Sequence, residues 1–320
     1  MQAGCQLQRW KVISGSLGLC ISSYSIWCSL SSGLSGRCVC YTASGNLITA
    51  LLTPLFSNFR RSLKGIVKLE RDSFEEFRDP ETYDVEVEAY DEDRPLIEQW
   101  VRLLGGPLLH LACGTGRVAL RLAAQGYQVT GVDIMPEMIA RARQKAAERA
   151  VSVEWVVADA RTFQLQRQFP FIFMVCNAFQ FLLTREDLEA LLARVQEHLL
   201  PEGCFLFETR NPCPRNLLEV LHPDPPKYPL PDGGQLVVRE EQDYDPITQI
   251  QHYTRHLTFL HPGGQRVEKT LYTDLRYIYP QEMEALLFYN GFHIRACYGN
   301  WQQEPLTATS PAMIYVCQRR

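Results

Sequence analysis

Residues 108–126, LLHLACGTGRVALRLAAQG, constrain the fold more than any other stretch of this chain. An apolar run ends in Cys113-Gly114-Thr115-Gly116 and passes directly into a segment of helical periodicity. A strand that feeds a helix through a tight glycine turn begins a βαβ unit, and such units build parallel sheets. Gly114 and Gly116 carry no Cβ, so a ligand can come close to the backbone where N–H groups at a helix start face it. The spacing alone leaves the ligand open. Gly114-Thr115-Gly116-Arg117-Val118-Ala119 satisfies the dinucleotide pattern G-x-G-x-x-G/A, and Asp133 follows 19 residues after Gly114, where a ribose-binding carboxylate belongs.

The alternation continues downstream. Tyr127–Asp133 reads as a second strand, and Pro136 opens a helix whose stripe is Met138, Ile139, Ala142 and Ala146. Strands are expected over 151–157 and 171–176. Thr184 caps a helix with Leu188, Leu191, Leu192, Val195 and Leu199 on one face, Pro201-Glu202-Gly203 breaks it, and a fifth strand covers 204–209. After residue 210 the pattern changes. Runs at 236–245, 248–260 and 265–279 alternate polar and apolar residues between turn signals, which predicts an antiparallel meander. A helix at 281–290 precedes two strands, 292–298 and 312–318, expected to pair as an antiparallel hairpin. The organisation read from this is a helical cap over 70–106, a main domain over 107–320, and an antiparallel β insertion at about 212–280.

Charge divides the chain. Residues 1–69 hold no Asp or Glu and seven of the 32 basic residues, leaving 25 basic against 36 acidic residues over 70–320. An acidic body repels phosphate backbones, so no nucleic-acid partner is expected. Residues 12–36 are uncharged, but nine Ser and four Gly make them too polar for a membrane span, and no membrane partner is expected. Residues 1–69 read as a poorly ordered or targeting extension. The cysteines from Cys113 onward sit mostly in apolar runs as small hydrophobes, which suits a cytoplasmic location. No His/Cys cluster has metal-ligand spacing, so no metal is expected.

Three segments together select the cofactor. LACGTGR (111–117), GVDIMPEMI (131–139) and VVADARTF (156–163) resemble the first three motifs of class I S-adenosylmethionine-dependent methyltransferases. The resemblance covers about residues 74–320 and is nearest to bacterial small-molecule methyltransferases with an N-terminal cap and an antiparallel insertion. It implies an α/β, Rossmann-like doubly wound sheet of about seven strands with an antiparallel C-terminal hairpin. The cofactor it implies is S-adenosyl-L-methionine, held by Ala112, Cys113, Gly114, Thr115, Gly116, Asp133, Ile134, Met138, Asp159, Ala160 and Asn177. In that scheme the glycines approach the methionine part and Asp133 binds the ribose. Ile134 packs on adenine, Asp159 reads the adenine amine, and Asn177 borders the methyl group. The family usually has an acid where this chain has His110, and often a glycine at Ala112.

Methyl transfer from a sulfonium is an in-line displacement, so the protein mainly positions the acceptor. The acceptor is expected to be a small molecule. Candidate contacts are Tyr83, Tyr90, Gln180, Arg210, Arg276 and Tyr277, with His252 and His256 as bases if the insertion folds over the site. No residue earns a catalytic role from sequence. Two other readings stay open: a non-catalytic S-adenosylmethionine-binding protein, suggested by His110, and an NAD(P)-dependent oxidoreductase.

Overall fold

The computed structural model describes residues 72–217 and 224–320, together with the backbone of five short strands between Lys11 and Ile48. Those five strands form an antiparallel sheet in a first unit, Met1–Glu70, separate from a second unit, Arg71–Arg320. The remainder of the 1–69 extension lies outside the described residues. All that follows concerns the second unit.

Its chain begins with a 3-10 turn, Glu75–Arg78, and helix α1, Pro80–Val87, started by the Asp79 side chain accepting the Thr82 N–H at 3.2 Å. Helix α2, Arg94–Leu104, buries Leu96, Ile97, Trp100 and Val101 and ends at Gly105. Strand–helix alternation then gives β1 (Leu108–Leu111), α3 (Arg117–Ala124), β2 (Val129–Asp133), α4 (Pro136–Glu148), β3 (Glu154–Val157), β4 (Phe169–Met174), α5 (Arg185–His198) and β5 (Leu199–Arg210). A short turn of helix α6, Pro214–Leu217, leads to β6 (Lys227–Pro229), β7 (Gln235–Asp245), β8 (Ile250–Leu260) and β9 (Arg266–Arg276). Helix α7 (Pro280–Tyr289) and strands β10 (Phe292–Tyr298) and β11 (Ala312–Arg319) close the chain.

The main sheet runs β10-β11-β5-β4-β1-β2-β3. The five strands that come first in the chain are parallel, and β11 pairs antiparallel with both β5 and β10. This is the seven-stranded Rossmann-like arrangement with its antiparallel end. Both faces are buried, which explains the near-continuous apolar strands. Phe169, Ile172 and Met174 face α5 and α7, while Phe171 and Phe173 face α2 and α3. Each such fully buried side chain stabilises the fold by roughly 1.5–3 kcal/mol. Strands β6–β9 make a separate four-stranded antiparallel sheet. Several boundaries differ from the sequence reading: β3 begins at Glu154 rather than 151, β4 runs Phe169–Met174 rather than 171–176, and β5 begins at Leu199 rather than 204, with Pro201–Gly203 at an irregularity between Leu199 and Cys204. The proline-glycine signal marks a bulge inside the strand, because Leu199 already pairs with Phe169.

Candidate active site

A cavity of about 380 Å³ opens at the carboxyl ends of β1, β2, β3 and β4. In open α/β sheets this is where ligands sit. Ala112, Gly114, Asp133, Ile134, Met138, Asp159 and Ala160 all line it. Gly114 has φ 55°, a left-handed backbone that glycine adopts freely, and a Cβ there would stand 3.6 Å from the Tyr83 ring. Asp133 is buried, with Oδ2 accepting the Gly114 N–H at 2.7 Å and Oδ1 the Met135 N–H at 2.9 Å. Burial pushes its carboxyl up, and the N–H donors of Met135, Gly114 and Ile134 oppose that shift. The carboxylate is thus fixed in direction while keeping lone pairs for a diol. Ile134 and Met138 supply apolar surface between the two acids.

Asp159 follows β3, the strand that pairs with β2 beside Asp133. Arg161 grips it through the backbone N–H at 2.8 Å and the guanidinium at 2.6–3.0 Å, and reaches on to Asp187 at 2.5 Å. The Arg161 hydrogen bond is the main cause holding the Asp159 carboxyl below its ordinary value.

The structure does not bring Cys113, Thr115 and Gly116 to this cavity. Cys113 is buried beside Gly131, and its Sγ would stand 2.9 Å from a Cβ there. Gly116 faces Trp155, whose ring would lie 2.6 Å from a Cβ. Its missing side chain serves helix–sheet packing. Thr115 donates from Oγ1 to Asp84 Oδ1.

A second cavity of about 250 Å³ adjoins the first, and the two share Phe77, Tyr83, Cys176 and Phe181 as walls. Its other lining residues include Asn177, Arg210, Tyr253, Thr273, Glu76, Glu86, Glu240 and Arg255. Here the insertion sheet meets the main body. Arg255 binds Glu76 and Glu86, each at 2.5 Å, and tethers the cap to β8. Arg210 donates to the Tyr253 hydroxyl at 2.7 Å, and the Tyr253 and Tyr277 hydroxyls lie 2.9 Å apart.

Of the acceptor candidates, Tyr83, Arg210 and the cofactor-side Asn177 line the second cavity. Four others line neither. Tyr90 packs under the Arg117 guanidinium at 5.2 Å. Gln180 is wholly buried, accepting the Arg210 N–H at 2.8 Å and donating to the Arg276 carbonyl at 2.9 Å. Arg276 pairs with Glu282 at 2.8 Å, and Tyr277 is buried behind Tyr253. His252 and His256 also line neither cavity. Strand alternation puts Tyr253 and Arg255 on one face of β8 and the two histidines on the other, where His252 meets Asp274 at 2.6 Å. His110 lies outside the main cavity. It stacks on Phe173 at 4.4 Å, and burial pushes its imidazole down to about 3, so it is neutral.

Sequence reasoning missed Phe181, Cys176, Tyr253, Arg255 and the three glutamates. The aromatics over 74–90 were a visible signal for the cap wall, whereas the phase of β8 depends on which face the insertion presents.

The Rossmann-like sheet, its antiparallel end and the glycine-loop cleft define the class I methyltransferase fold. Residues 108–203 match the family model described as a methyltransferase domain. The cypemycin N-terminal methyltransferase of Streptomyces sp is 25% identical over 253 residues, covering 76% of this chain and 99% of that protein. YqeM of Bacillus subtilis (strain 168) is 31% identical over 121 residues, 36% of this chain and 49% of that protein. The chain thus spans about half the length of the curated relatives it first matches. Among solved structures, the CcbJ methyltransferase from Streptomyces caelestis superposes with TM-score 0.60 at 25% identity, covering 72% of this chain and 95% of that one. Residues 108–203 thus match a methyltransferase domain, and the fold is similar to that of class I methyltransferases. No helix among the described residues is long and apolar enough to cross a membrane, and no group of three or more His, Cys, Asp or Glu among them could hold a metal ion.

Proposed function

We propose that the protein transfers the methyl group of S-adenosylmethionine to a nitrogen of a small-molecule acceptor. The observation that carries this reading is the pair of adjoining cavities. The first offers Gly114, Asp133, Ile134, Met138, Asp159 and Ala160, a set that fits an adenosyl group: a directed carboxylate for a diol, an apolar slot for a purine, and a second carboxylate beyond it. Bound there, the cofactor supplies an electrophilic methyl on a positive sulfur.

The second cavity would hold the acceptor. Three carboxylates, Glu76, Glu86 and Glu240, face two guanidiniums, Arg210 and Arg255, a balance that favours a cation. Asn177 Oδ1 and Thr273 Oγ1 are buried there without a hydrogen-bond partner. Unpaired buried oxygens are costly, and an acceptor N–H satisfies them. Asn177 Oδ1, taking one N–H, would turn the nitrogen so that its lone pair faces the methyl. The name of the cypemycin relative, an N-terminal methyltransferase, agrees with nitrogen as the target. Phe77, Tyr83 and Phe181 would close the seam and exclude water.

The test pairs calorimetry with transfer of a labelled methyl group. S-adenosylhomocysteine should bind and NADH should not. Amines such as benzylamine and glucosamine should accept methyl ahead of benzyl alcohol and glucose. Tight NADH binding, or transfer to the alcohols alone, would overturn the proposal.

A further inference from the structure

The chain leaves β4 through two consecutive non-glycine residues in left-handed conformation, Cys176 at φ 58° and Asn177 at φ 57°. L-residues visit that region rarely, and two in succession need something outside them to hold them there. Cys176 lines both cavities, and Asn177 lines the second. Beneath the turn lies Glu208 of β5, with 8% of its surface exposed. Its Oε2 accepts the Cys176 N–H at 2.9 Å, and the neighbouring Asn177 N–H favours the ionised carboxylate electrostatically. Successive N–H groups converging on one anion form a nest, the backbone concavity that proteins use to hold phosphates and other anions. Here the anion comes from the chain itself.

We infer that Glu208 is a positioning residue: its carboxylate fills the nest, holds Cys176 and Asn177 left-handed, and so sets the wall shared by the two cavities. The wall then carries Asn177 Oδ1 where the acceptor nitrogen is expected. The functional consequence rests on the proposed cofactor site, while the geometric claim does not.

The setting of Glu208 is electrostatically poised. Asp93 ahead of α2 opposes its ionisation, the two N–H donors and Arg210 favour it, and Tyr90 and Cys176 also face it. Burial, the leading cause, pushes the carboxyl up to about 7. The nest therefore holds a full negative charge only on the alkaline side of neutrality.

The wild-type protein gives the first test. Backbone amide resonances of Cys176 and Asn177 should move together as pH is raised from 5 to 9, with one midpoint near 7. Amides that stay flat while the Glu208 carboxyl carbon itself titrates would overturn the inference without any variant having to fold. The second test is binding of S-adenosylhomocysteine. Glu208→Ala removes the acceptor from the nest, and should weaken binding at least about tenfold. Adding Cys176→Gly, which leaves Asn177 in place, should bring affinity back to within about threefold of wild type, because glycine takes this conformation freely. A loss that glycine does not recover would mean that Glu208 acts in some other way. If wild type itself fails to bind S-adenosylhomocysteine, the cofactor reading falls and the amide titration still decides this one.

Discussion

Thr115 Oγ1 lies 2.5 Å from Asp84 Oδ1, a hydrogen bond that ties the glycine loop to cap helix α1. Asp84 also receives Lys145 at 2.9 Å and Arg141 at 2.9 Å. Burial alone would raise the Asp84 carboxyl. The hydrogen bonds from Thr115, Lys145 and Arg141 outweigh it and hold the group below its ordinary value. The cap that carries Phe77 and Tyr83 over the cleft is therefore latched by a charged cluster.

Asp84→Asn should leave the buried Lys145 ammonium with Glu88, at 2.5 Å, as its remaining carboxylate partner. Losing the charge-assisted hydrogen bonds to Asp84 costs about 1–3 kcal/mol, and chemical denaturation at pH 7 should read that loss. A lowered carboxyl stabilises above its unfolded value and loses that contribution as pH falls. The difference between wild type and variant should therefore shrink below about pH 4. A variant as stable as wild type at pH 7 would show that the latch bears little load.

Asp133→Ala removes the carboxylate that meets Gly114 and Met135. Calorimetry should show S-adenosylhomocysteine binding weakened by about 1–3 kcal/mol, since ribose hydroxyls would lose their acceptor. Unchanged affinity would remove Asp133 from the cofactor site.

Gly116→Ala should destabilise the fold through packing. The new Cβ would stand 2.6 Å from Trp155 at φ 85°. A loss of about 1–3 kcal/mol is expected, read by thermal unfolding, and Trp155→Leu should recover part of it. Normal stability with lost cofactor binding would instead move Gly116 into the ligand site.

Glu208 gives the protein an unusual pH dependence. Its folded value of about 7 exceeds its ordinary 4.5, so the native state holds the proton longer than the unfolded chain. Below about pH 4.5 both states are protonated and nothing is lost. As pH rises from there toward 7 the fold loses about 3 kcal/mol, and it stays lower above. Glu208→Gln should abolish that slope in denaturation curves measured between pH 4 and 8.

Much of this was legible in the residues because parallel strands buried on both faces must be apolar throughout. Leu108–Leu111, Val129–Asp133 and Phe169–Met174 announce themselves in that way. Gly114 and the acids Asp133 and Asp159 at the strand ends could be placed for the same reason. What could not be read was pairing that depends on three-dimensional packing. Glu208 looks like a single acid in a strand until the turn above it exposes two N–H groups. Gln180, Arg276 and Tyr277 look like cleft residues until their partners prove to be Arg210, Glu282 and Tyr253. His252 and His256 were one residue out of phase with the cavity face, and a period of two reverses inside and outside.

The most direct measurement of the central claim is a crystal structure of the full chain soaked with S-adenosylhomocysteine. The account predicts adenosine density between Asp133 and Asp159, with the ribose on Asp133 and the sulfur turned toward Asn177 and the second cavity. Density elsewhere, or a cleft left empty at saturating ligand, would contradict it.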